Sequence, residues 1–72
     1  MYKLILTSNE MVKGCQGRLY NLTRAYNGLY ATSIGNRGGF NTSEVMIDIE
    51  HDDIRFVVTH NNTYVFAKEG AK

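Results

Sequence analysis

Seventy-two residues, 43% hydrophobic and 21% charged, carry a net charge of only +1. That length allows a single domain, residues 1–72, with a thin core. The charge is little with which to hold a polyanion, and no apolar run approaches the roughly 20 residues that span a bilayer.

Cysteine usage adds to these bounds. Cys15 is the only cysteine, so no intrachain disulfide can form. A lone cysteine fits a reducing compartment. With no apolar leader at residue 1, a cytoplasmic location is expected, in a bacterium or a host cell.

The first element is Tyr2-Lys3-Leu4-Ile5-Leu6-Thr7, an apolar, β-prone run. Alternation puts Tyr2, Leu4 and Leu6 on one face. With one charge to protect it, this segment is expected to be an exposed edge strand.

The middle admits two assignments. Leu19, Leu22, Tyr26 and Leu29 fall at helical spacing, which allows a short helix over 17–27. Against it, Tyr26-Asn27-Gly28-Leu29 is a hairpin signal, and Thr23, Tyr30, Thr32 and Ile34 favour strands. The hairpin is preferred, with Tyr26 opposite Leu29 and Arg24 opposite Ala31.

The stretch 33–44, SIGNRGGFNTSE, lacks the Gly-Lys-Ser/Thr ending of a phosphate loop and the strand–turn–helix setting of a dinucleotide fingerprint. It is expected to be a wide connection. Its sharper alternative is a contact loop presenting Arg37 and Phe40 to a partner.

The second half reads most clearly. In Glu44–Glu50, Val45, Ile47 and Ile49 alternate with Glu44, Met46, Asp48 and Glu50, the period of a half-buried strand with its acids outward. His51-Asp52-Asp53 makes a turn. Ile54, Phe56 and Val58 alternate with Arg55, Val57 and Thr59, Asn61-Asn62 turns again, and Tyr64–Ala67 ends an antiparallel meander. The expected fold is all-β, a small antiparallel barrel or meander of five to six strands.

A resemblance accompanies this pattern. Gly14-x-x-Gly17-x-Leu19-x-x-Leu22, then a turn and an alternating strand, resembles the KOW motif over residues 12–34. That motif belongs to small barrel domains of ribosomal proteins and transcription elongation factors. The resemblance implies a Src-homology-3-like barrel and contact with nucleic acid or the transcription and translation machinery.

Charge is unevenly placed. Residues 11–43 hold Lys13, Arg18, Arg24 and Arg37 and no acid, whereas residues 44–53 hold Glu44, Asp48, Glu50, Asp52 and Asp53 and no Lys or Arg. Such asymmetry suits opposed charged faces, or two neighbouring strands that simply complement each other, and the second reading is preferred. The acid-free part also carries Tyr20, Tyr26, Tyr30 and Phe40. Tyr and Arg are the residues that dominate protein hot spots.

Catalysis and metal binding are not expected. The two histidines and Cys15 form no local nucleophile signature, and Glu50-His51-Asp52-Asp53 lacks the calcium-loop pattern. No cofactor is implied.

The function expected is therefore a non-enzymatic binding protein with a protein partner. The style is that of a phage or mobile-element inhibitor occluding host machinery. The partner site is expected at Arg24, Tyr26, Tyr30, Arg37 and Phe40. A rival site is the acidic face of Glu44, Asp48 and Glu50, as a mimic of nucleic-acid charge. The alternative is a KOW-like nucleic-acid module. A homodimer is expected from the thin core and the open edge.

Overall fold

A computed structural model describes residues 1–24, 27–34 and 38–69 of the chain. Seven strands follow one another: β1 (Tyr2–Thr7), β2 (Leu19–Arg24), β3 (Leu29–Ser33), β4 (Gly39–Asn41), β5 (Val45–His51), β6 (Ile54–Thr59) and β7 (Thr63–Lys68). They make one antiparallel sheet in the order β4-β3-β2-β1-β7-β6-β5. The all-β expectation holds. The strand count is higher than expected because Gly39–Asn41, within the glycine-rich connection, pairs with β3 as a strand of its own.

The helical alternative over 17–27 is overturned. Leu19–Arg24 is strand, with Tyr20 buried and Leu22 packed against the core while Asn21 and Thr23 face outward. A period of two therefore prevails over the 3.6 spacing, because strands are present on both sides to pair with. The one short helix among the described residues is 3-10 in type and lies earlier, at Glu10–Cys15. Asn9 caps it, its side chain accepting from the Met11 N–H at 2.9 Å.

The hairpin is present with a different register. Arg24 pairs with Leu29 and Leu22 with Ala31, so the link is four residues long rather than two. Residues 25 and 26 of that link lie outside the described residues. The turn at the other end of the chain is tight: Asp52 and Asp53 have φ of 50° and 66°. That is the geometry of a primed two-residue hairpin, which short polar side chains tolerate.

β1 is central, not an edge. It pairs with β2 on one side and β7 on the other. The edges are β4 and β5. The sheet curls so that its two ends approach: the Val45 N–H donates to the Asn27 carbonyl at 2.8 Å, and the Leu29 N–H donates to Thr42 Oγ1 at 2.9 Å. No ladder joins β4 to β5 among the described residues, so the sheet is open.

The concave face holds the core. Leu4, Val12, Tyr20, Leu29, Ala31, Val57, Tyr64 and Phe66 are buried. Aromatic rings run through it: Tyr20 meets Phe40 edge-on at 5.2 Å, and Phe40 stacks on Tyr64 at 5.8 Å. Buried Thr7 and Thr59 are satisfied locally, each hydroxyl donating to a backbone carbonyl, of Thr63 and Asn62 respectively. No helix among the described residues is long and apolar enough to cross a membrane.

Two β-bulges set which side chains face the core. One falls between Leu4 and Leu6, the other between Val45 and Ile47. An extra residue reverses the facing of everything beyond it. Leu4 is buried, but Leu6 is 59% exposed and Thr7 takes the inner position. The expectation that Tyr2, Leu4 and Leu6 share a face fails at this bulge.

Candidate protein interface

The departure from the expected facing is widest on β5, beyond its bulge, and on the regular strand β6 beside it. Ile47 and Ile49, expected inside, are 47% and 56% exposed, and Phe56 is 45% exposed. Their neighbours Asp48, Val57 and Thr59 face the core instead. The assignment of the clustered acids to an exposed face is thus corrected for Asp48.

Asp48 is the centre of a polar clasp. Its Oδ1 accepts from Arg55 Nε at 2.8 Å and its Oδ2 from Arg55 Nη2 at 2.7 Å. This is the two-pronged fit of a guanidinium to a carboxylate. Arg24 Nη1 donates to the same Oδ2 at 3.3 Å, linking the end of β2 to β5. The Arg55 guanidinium lies 5.4 Å above the Tyr2 ring, and the Tyr2 hydroxyl donates to Glu50 Oε1 at 2.8 Å.

These contacts move the ionisations. The Arg55 hydrogen bonds hold the Asp48 carboxyl below its ordinary range, against a smaller opposing effect of burial. Burial, and then the bond to Glu50, raises the Tyr2 phenol. Burial, and then the Cys15 thiol, pushes Tyr20 up to about 12.

Of the rival acidic site, then, Asp48 is neutralised by two arginines, while Glu44 and Glu50 stay exposed, Glu50 accepting a hydrogen bond from Tyr2. No continuous negative surface is formed by these three. The other expected site is also dispersed. Arg24 sits on the inner face opposite Leu29 and reaches the clasp. Tyr30 is 50% exposed on the outer face, between Thr23 and Asn41. Phe40 is half-buried among Tyr20 and Tyr64 and belongs to the core, not to a loop tip. Tyr26 and Arg37 lie outside the described residues. His51 and His60 flank β6 at opposite ends. No three metal-ligating side chains gather among the described residues.

What the structure does assemble is apolar. Register places Leu6 opposite Val65, Val65 opposite Phe56, and Phe56 opposite Ile49. These four form one row across the outer face of β1, β7, β6 and β5. Beside it run Thr63, Val58 and Ile47. Ile5, in the first bulge, is 42% exposed, and Met46, in the second, is 61% exposed. A shallow hollow of about 240 Å³ opens on this half of the sheet, lined by Leu6, Thr7, Ser8, Thr63 and Val65. The other half of the outer face is polar, with Asn21, Thr23, Tyr30, Thr32 and Asn41.

Sequence reasoning missed this face. Its signal was present: β6 and β7 are apolar at consecutive positions, Val57-Val58 and Val65-Phe66, so they could cover two faces rather than one. No protein-family model matches the chain, and no curated protein or solved structure does so.

Proposed function

We propose that this chain is a small non-enzymatic protein-binding module that docks through the outer face of β1, β7, β6 and β5. The observation that carries it is the row Leu6, Val65, Phe56 and Ile49, with three of its four side chains about half exposed and no charge in it. Contiguous apolar surface rimmed by polar residues marks interaction sites on soluble domains. Binding there covers the apolar row with a protein surface. Nucleic acid is the weaker fit. Arg24 and Arg55 are tied to Asp48, and the outer face offers an apolar surface where phosphate would need cations.

A photo-crosslinking residue placed at position 56, and separately at position 32 on the polar half, tests this in the cell of origin. Protein adducts are expected from position 56 and not from position 32. Adducts to nucleic acid, or equal yields from both positions, would overturn it.

A further inference from the structure

We infer that the occupant of this apolar face is a second copy of the chain, the two faces packed about a two-fold axis. The inference rests on the face being a protein interface, and four observations select the partner.

The first is area. Ile5, Leu6, Ile47, Ile49 and Phe56 are each 42–59% exposed. At roughly 100 Å² for each half-exposed side chain of this size, they offer about 500 Å² per copy. Two such faces reach the roughly 1,000 Å² that a specific interface requires. Half-buried Val58 and Val65 add to it.

The second is shape. The face carries both a projection and a recess in one row. Phe56 stands across β7 from Leu6, and the 240 Å³ hollow lies along Leu6 and Val65. An isologous interface needs a surface complementary to itself. A two-fold axis near Val65 seats each Phe56 in the hollow of the other copy.

The third is charge. The two central rows, Leu6-Val65-Phe56-Ile49 and Thr63-Val58-Ile47, contain no ionisable side chain. Juxtaposing two identical faces therefore brings no like charges together, which a charged face could not avoid.

The fourth is size. The eight buried hydrophobic residues among those described make a small core, and domains of this length commonly take further apolar burial from association. Edge-to-edge pairing is the competing route to a dimer. β4, at one edge, has only three residues to offer it, and β5, at the other, has seven but is interrupted by the bulge between Val45 and Ile47.

Sedimentation velocity over the micromolar range tests the inference on the full chain. The wild type is expected to sediment as a dimer, and Thr32→Asp on the polar half to do the same. Phe56→Asp is expected to weaken dimerisation by at least about thirtyfold, the loss of one hot spot. Ile49→Asp, at a different exposed position in the same row, provides a second variant. Far-UV circular dichroism matching the wild type qualifies each variant. A wild type that stays monomeric overturns the inference, as does a dimer indifferent to both folded variants. If the chain is monomeric while position 56 crosslinks to another protein, the second copy is excluded and the docking face stands. If position 56 yields no protein adduct at all, the docking face itself is excluded.

Discussion

Asp48 shows how one side chain can hold two parts of a curled sheet together. Its side chain is mostly sheltered, 15% exposed, as is that of its main partner Arg55. Removing it leaves a sheltered guanidinium without its counter-charge, so Asp48→Ala is expected to cost about 2 kcal/mol in urea unfolding. The same pair sets the acid limit. Because the folded carboxyl is held below its ordinary value, its stabilisation is complete above the unfolded pKa of about 4 and disappears as pH falls through the lower folded value. Melting temperature followed from pH 6 downward should therefore drop through this window, and Asp48→Asn should fall less steeply over it. Gly39 is a second sensitive position. Its φ is +156°, and a Cβ there would run into the Ala31 carbonyl oxygen on the paired strand. Gly39→Ala is expected to destabilise by more than about 1 kcal/mol, measured by the denaturant midpoint.

At the scale of the strand, the bulges decide what burial is worth. Leu4 and Leu6 are two positions apart in one run, yet Leu4 is fully buried and Leu6 is 59% exposed. Leu4→Ala is expected to cost about 3 kcal/mol, and Leu6→Ala less than about 0.5 kcal/mol in the monomer. Paired denaturation curves of the two variants, taken dilute, check this. The same contrast marks the limit of what was legible in the sequence. Period two identified β1, β5 and β6 correctly, since alternation needs only local composition, and β7 followed from an apolar run after the Asn61-Asn62 turn. The inward phase of β5 and β6 was assigned wrongly, because apolar residues were placed inside by rule. Burial holds in one direction only: a core is apolar, but apolar side chains need not be core. On β5 the inner positions near the clasp went to Asp48 and Glu50, which Arg55 satisfies from the adjacent β6 and Tyr2 from β1 across the concave face. Tyr2 and Arg24 lie far along the chain from Glu50 and Asp48, so no local pattern announces them, whereas Arg55 sits just across the β5–β6 hairpin. The candidate site was lost with the phase, and Phe40 was misplaced because three residues of a glycine-rich stretch gave too little alternation to declare β4.

For the molecule as a whole, strand order predicts where the sheet opens first. β1 and β7 are flanked by strands on both sides, and β4 and β5 are the edges. Amide hydrogen exchange is expected to be slowest in β1 and β7 and fastest in β4 and in the outward N–H groups of β5. Protection that is instead highest at β4 or β5 would indicate pairing through an edge.

The central position of β1 also has a consequence for how the chain reaches its fold. β2, β3 and β4 meet β1 through neighbours in sequence, and β5, β6 and β7 form a second run of hairpins. The seam between the two runs is β1 against β7, where Leu4 meets Phe66 across nearly the whole chain. Contacts so distant in sequence carry the slowest step of assembly. On the ribosome, β1 must wait with one flank open until β7 has been synthesised, and during that wait Leu4 has no roof. The nascent chain is then most exposed to strand capture by another copy. Slowing synthesis ahead of Thr63 should lengthen that interval and raise the aggregated fraction, without altering the stability of any molecule that completes folding.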